Sequence, residues 1–172
     1  IILFKEIKMI AINAREVAAQ VLTDIQKDDA YSNIALKKAL KANGAMDEKN
    51  RAFVTEIVNG SLRNIIYIDY IINSFSSVKT EKMKPWLLAV LRCAVYQMFF
   101  MNVPHSAAIN EAVKLIKQKG MGRLSGFANA VLRNISRKEE ETVLPDKTNN
   151  FAEYVSIKYY HPLWLGKMWI SY

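Results

Sequence analysis

Cysteine, histidine, glycine and proline are all scarce in this 172-residue chain, and each scarcity removes a class of protein. A single cysteine, Cys93, leaves no internal disulfide and no cysteine-rich zinc site, and it fits a reducing cytoplasmic setting. Two histidines, His105 and His161, are too few for an ordinary metalloenzyme ligand set. Six glycines and four prolines cannot supply the turns of a β-sandwich or barrel. No apolar run is long enough to cross a bilayer. The longest, Leu87 to Met101, has 15 residues and contains Arg92, against the ~20 that a span needs. The opening IILFKEIKMI alternates apolar and charged residues, unlike a secretory signal, and residues 1–10 read as an N-terminal extension. What the chain does have is 51% hydrophobic residues, enough to bury a core. Its length suits one domain with a fragment of a second.

The net charge is +8, from 24 basic and 16 acidic residues, and it is unevenly spread. Residues 1–104 carry 14 basic and 10 acidic groups, and residues 139–172 carry three basic and five acidic. Between them, residues 105–138 hold Lys114, Lys117, Lys119, Arg123, Arg133, Arg137 and Lys138 against Glu111 alone. Three quarters of the net charge thus falls in 34 residues, which points to a polyanion-binding face. A merely solvated basic surface is the bland alternative.

Apolar residues recur at helical spacing throughout, so an all-α fold is expected. Asn13 and Glu16 form a capping-box variant ahead of Val17, Ala18, Val21, Leu22 and Ile25. A second helix is predicted from Ser32 to Gly44, and a third from the Asp47 cap to a stop at Gly60. Leu62–Phe75 and Trp86–Met101 are apolar on most sides and belong at the centre of a bundle, the latter led by Pro85 and broken by Asn102-Val103-Pro104. His105–Lys119 and Arg123–Arg137 complete about seven helices. Residues 139–150 read as a polar linker. Beyond it Phe151–Tyr159 and Leu163–Tyr172 form a short helical piece with an aromatic stripe. That stripe either meets a domain that follows or folds back on the bundle.

Catalytic chemistry is hard to find. Cys93 lies inside an apolar helix, the setting of a small hydrophobe and not of a thiolate nucleophile. Neither histidine has triad partners; His105 reads as shaping a helix start and His161 a turn. The run from Gly120 to Gly126 has the wrong spacing for a nucleotide loop and joins two helices, though its backbone N–H groups could approach an RNA phosphate. Asp28-Asp29 and Asp47-Glu48 are expected at helix starts, where the dipole favours them. No enzyme activity is expected within these residues.

Four blocks in register carry a family likeness: NAREVAAQVL, RAFVTEIVNGSLRN, LRCAVYQMFFMNVPHSAAINEAVKLIK and GFANAVLRNI. Over residues 11–138 they resemble the NusB-type RNA-binding domain. Two kinds of protein carry that domain: free-standing antitermination factors, and the Sun/RsmB class of ribosomal RNA cytosine-5 methyltransferases, in which it precedes a catalytic domain. Arg51, Phe53, Glu56, Gly60 and Arg63, with Leu132-Arg133-Asn134 and the SIKYYHPLWLGKMW segment, look like the methyltransferase version. The resemblance implies a domain that holds small-subunit 16S rRNA for a catalytic domain in cis. Residues 151–172 would be the start of the methyltransferase portion, and S-adenosylmethionine would be the cofactor of the full-length parent alone. As an antitermination factor the chain would instead bind leader RNA with a ribosomal protein. A purely protein-binding helical module is a third possibility, and it would show no salt-sensitive RNA affinity.

By matching position, the resemblance makes Arg15, Asn129 and Arg133 candidate RNA contacts. Arg63 matches too, with an ion pair to Glu56 as its alternative role. The outward strip of Asn129, Arg133 and Arg137, with Lys114, Lys117, Lys119, Arg123 and Lys138 close in sequence, suits contact with phosphates. Tyr96, Gln97 and Asn110 are expected to make interhelical hydrogen bonds inside the bundle.

Overall fold

The computed structural model describes residues 13–28, 31–138 and 144–171. The expected extension 1–10 and residues 139–143 of the expected linker, its three glutamates included, lie outside these. Among the described residues there are helices and turns but no strand. The bundle comprises α1 (Ala14–Asp28), α2 (Ser32–Ala42), α3 (Glu48–Arg63), α4 (Ile65–Phe75), α5 (Pro85–Phe100), α6 (His105–Gln118) and α7 (Ser125–Arg137). Two short helices, α8 (Phe151–Lys158) and α9 (Leu163–Ile170), follow. No helix among the described residues is long and apolar enough to cross a membrane.

Helix α5 is the axis, because its sequence offers no polar face. Every residue from Trp86 to Met98 is buried except Arg92. The others pack around it: α1, α3, α4, α6 and α7 all touch α5, and α6 lies against α7. The charge of Arg92 is met by a two-pronged contact with Asp69 of α4, at 2.8 and 2.7 Å. Such a fork satisfies a guanidinium that a single acceptor would leave half unpaired.

The caps follow the sequence logic closely. Asn13 Oδ1 accepts from the backbone N–H of Arg15 at 3.0 Å, and Asp47 Oδ1 from that of Asn50 at 2.7 Å. Pro85 is the first residue of α5. Asn102 ends that region with φ of 51°, a left-handed conformation that asparagine tolerates better than most residues.

Gly60, expected to stop α3, lies inside it, and the break comes at Asn64, whose side chain bonds back to the Gly60 carbonyl at 2.8 Å. The glycine is required by packing. A Cβ there would stand 1.9 Å from Cζ of Tyr96 on α5. The Tyr96 hydroxyl donates to Glu56 Oε1 at 2.5 Å, and its ring stacks on Phe100 at 5.2 Å. Glu56 therefore serves Tyr96, and no Arg63–Glu56 ion pair forms; Arg63 is exposed. Arg51 donates to the Leu40 carbonyl at 2.9 Å and so ties α3 to α2. The Arg51–Phe53–Glu56–Gly60 pattern is a packing socket. Asp28 is likewise placed differently from expectation, at the end of α1 and not at a helix start.

The C-terminal stripe divides between its two expected fates. Helix α8 folds back on α4, burying Val155 and Ile157, and Tyr160 stands edge-on to Tyr67 and Phe100. Burial and the nearby Glu153 carboxylate raise the Tyr70 hydroxyl pKa above its usual range. Helix α9 packs on α8, with Gly166 against the Ala152 backbone, yet Leu163, Trp164, Met168 and Trp169 remain exposed.

Candidate nucleic-acid interface

Helices α6 and α7 form an antiparallel hairpin, and the turn between them explains why the chain can reverse so tightly. The Gly120 N–H reaches the Lys117 carbonyl at 3.0 Å and the Met121 N–H the Ile116 carbonyl at 3.1 Å, with Gly120 at φ of 74°. This pair of bonds is a Schellman closure, which needs a left-handed residue at that position. A 3₁₀ turn over Gly122–Leu124 follows, so α7 begins at Ser125 and not at Arg123. The buried stripes Ala108, Ile109, Ala112, Leu115 and Ile116 of α6, and Ala128, Val131, Leu132 and Ile135 of α7, face the core. Everything at the opposite phase faces solvent.

On that outer side α6 presents Ser106, Asn110, Lys114 and Lys117, each three or four residues from the last, all exposed. Helix α7 presents Asn129, Arg133 and Arg137. The Arg133 Nε donates to Asn129 Oδ1 at 3.1 Å, and the Arg137 Nη2 to Asn134 Oδ1 at 2.9 Å. Each guanidinium is thereby steadied by an asparagine one turn earlier, with nitrogens still free for a ligand. Toward the open end of the hairpin, Ser106, Ile109, Asn110, Arg133, Ser136 and Arg137 line a cleft of about 280 Å³. The one carboxylate on the strip, Glu111, stands 3.8 Å from Lys114, a pair too exposed and too long to neutralise it firmly.

The expected site residues divide accordingly. Lys114, Lys117, Asn129, Arg133 and Arg137 share the hairpin's outer side, with Arg123 exposed at its turn and Lys138 exposed at its open end. Lys119 is exposed but leans on the bundle: its ammonium lies 4.4 Å from the centre of the Trp86 ring and 3.2 Å from Gln20 Oε1, tying the end of α6 to α5 and α1. Arg15 is half-buried, its Nε on Gln97 Oε1 at 2.7 Å and its guanidinium 5.0 Å from the Phe53 ring. Both cations are thus engaged with the bundle.

Tyr96 and Gln97 make the interhelical hydrogen bonds expected of them. Asn110 does not; it is exposed in the cleft, and sequence reasoning misplaced it. The available signal was its spacing, four residues before the outward-facing Lys114 and four after Ser106. His105, at the first residue of α6, bonds Ser136 Oγ through Nδ1 at 3.0 Å and stacks on Phe99, so it holds one of the residues that line the cleft.

Catalytic alternatives find no support in the geometry. Cys93 is buried, and burial pushes its thiol up to about 12, far from a reactive thiolate. Among the described residues no group of histidine, cysteine and carboxylate side chains could hold a metal ion.

Comparison with known proteins agrees with this order of helices. Over 160 residues the chain is 37% identical to the probable ribosomal RNA small subunit methyltransferase B of Bacillus subtilis (strain 168), a match covering 91% of this chain and 34% of that protein. Over 124 residues it is 33% identical to the transcription antitermination protein NusB of Bacillus velezensis, covering 71% of this chain and 92% of that protein. A crystal structure of antitermination factors NusB and NusE in complex with dsRNA has the same fold, with a TM-score of 0.67 at 20% identity, covering 72% of this chain and 93% of that one. The chain spans about a third of the length of the methyltransferases it matches. The NusB family pattern itself runs from residue 12 to residue 137, which takes in the whole seven-helix bundle, and the chain belongs to that family.

Proposed function

We propose that this chain is the RNA-holding portion of a ribosomal RNA small subunit methyltransferase that modifies cytosine at C5. In this reading the outer side of α6–α7 grips 16S rRNA, in the cytoplasm, while methyl transfer takes place on a domain in cis. The observation that carries it is the extent of the methyltransferase match. Covering 91% of this chain, it runs past α7 into α8, whereas the match to the antitermination protein covers 71%. Helices α8 and α9 are accordingly read as the start of the methyltransferase portion.

S-adenosylmethionine would supply the methyl group to such a parent. These residues do not fit it. Its site in the parent class is a Gly-rich turn in an α/β domain, and the described residues include no strand. No chemical step is therefore assigned to them. Their work is electrostatic and positional: phosphate contacts fix a nucleic acid's register, and cations released from the RNA drive the binding.

Five cations stand clear of the core on or beside the strip: Lys114, Lys117, Arg123, Arg133 and Arg137. If each neutralises one phosphate of single-stranded RNA, log K falls against log salt with a slope of roughly −3.5. Changing Arg133 and Arg137 together to alanine should flatten it to roughly −2 while leaving the helical circular dichroism intact. A slope unmoved in a folded double variant would remove this surface from consideration. The antitermination reading keeps one observation of its own, the near-complete coverage of the Bacillus velezensis protein. It requires a ribosomal protein to raise the affinity for leader RNA, and a binding titration with and without that protein separates the two.

A further inference from the structure

We propose that the cleft between the start of α6 and the end of α7 is a subsite for one unstacked RNA nucleotide, and that Asn110 reads the edge of its base. This inference rests on the reading of the α6–α7 side as an RNA surface and goes beyond it by assigning base selectivity to one residue.

The cleft's volume of about 280 Å³ is at the small end of ligand sites and matches one nucleotide-sized group. Its floor is Ile109, which is buried and apolar, a surface suited to the flat face of a base. One wall carries Asn110, exposed and with no side-chain hydrogen bond to any described residue. The other carries Arg133 and Arg137, steadied by Asn129 and Asn134, with guanidinium nitrogens left over. Ser136 is held by His105, and none of the six lining residues is acidic.

The arrangement divides labour. Two arginines suffice for a phosphate, but a bare phosphate would leave the Ile109 floor and the Asn110 amide without a use. A carboxamide presents an acceptor and a donor side by side, the pattern that pairs with adenine. Single-stranded RNA is read by splaying out bases so that such edges become accessible. A strand with one base in the cleft would run on over Lys114 and Lys117, which continue the same line along α6.

The test is fluorescence anisotropy of the intact chain with labelled single-stranded RNA decamers of A, C or U. Native protein, Asn110→Ala and the Arg133→Ala/Arg137→Ala double variant are compared across a salt series. The native chain should prefer the A decamer by about 5- to 150-fold. Asn110→Ala should lose that preference and keep the native salt slope, since it removes no charge. A native chain without base preference, or an Asn110→Ala variant that keeps it, overturns the subsite while a flattened slope in the arginine variant upholds the RNA surface. An arginine variant with native affinity and slope overturns both readings together.

Discussion

Replacing Gly60 with alanine sets two general expectations against each other. In a helix interior the change ordinarily stabilises, by about 0.5–1 kcal/mol, because alanine has less backbone freedom to lose. Here the new methyl would fall 1.9 Å from Cζ and 2.0 Å from the hydroxyl oxygen of Tyr96, so the ring would have to retreat by more than an ångström. It has little room to do so. Tyr96 is 4% exposed, stacked on Phe100 and bonded to the Glu56 carboxylate. Overpacking of this kind costs about 1–3 kcal/mol, and losing a hydrogen bond to a charged group costs about 1.5–3 kcal/mol more. After the helix gain, the variant should be about 2–5 kcal/mol less stable, roughly 5–20 °C in Tm for a domain of this size. Thermal unfolding followed by circular dichroism at neutral pH measures it. Tyr96→Ala in the same background should cost less than the two single changes summed, because the methyl then enters vacated space. Gly126→Ala is the control: its Cβ meets nothing within 4 Å, and it should be neutral or slightly stabilising. A Gly60→Ala variant as stable as the native chain would refute the socket and, with it, the packing role given to Glu56.

Two further outcomes follow from the same contacts. Lys117→Met should reduce the magnitude of the RNA salt slope by about 0.7, whereas Lys119→Met should leave it close to native, because the Lys119 ammonium is turned onto Trp86 and Gln20; equal losses would contradict the assignment. Burial raises the Cys93 thiol from its ordinary 9.0 to about 12, and burial with the Glu56 hydrogen bond raises the Tyr96 hydroxyl from 10.0 to about 12. Both folded values exceed the unfolded ones, so their stabilising contribution is complete below about pH 9 and is lost as pH climbs toward 12. The urea midpoint should therefore fall across that window, less so in Cys93→Ala, and a midpoint that rises there would show the sign to be wrong.

What could be read ahead of the structure depended on how local each cause is. The hairpin was legible because α6 and α7 carry strong apolar stripes, and a lysine or arginine at the opposite phase must face water. Pro85, Asp47 and Asn13 act within one turn of themselves, so their roles were visible too. Gly60 was misread because its reason sits on α5, in the ring of Tyr96, and no window along α3 contains it. Lys119 and Arg15 count as charge in the sequence but are engaged by Trp86 and Phe53, partners far away along the chain. Asn110 was misplaced for the opposite reason. A lone asparagine in a helix with a buried stripe suits an interior hydrogen bond as well as a surface one, but its helical phase, four residues from Ser106 and from Lys114, sets it outside. The division of the C-terminal stripe between a docked α8 and an open α9 depends on how Tyr160, at φ of 59°, turns the chain, which composition does not encode.

Helix α4 has a consequence of a mechanical kind. It lies against α7 with one part of its surface and carries α8 with another. Under the proposed function, a nucleic acid on the outer side of α7 and a body attached through α8 would be held apart by α7 and α4 together, two helix spacings of roughly 8–10 Å each. The fork from Asp69 to Arg92 pins that same helix to the central axis, so the spacer cannot roll without breaking an ion pair. Under the proposed function such a bundle would act as a gauge block, setting the distance from an RNA strand on α7 to a body joined through α8 before either has moved.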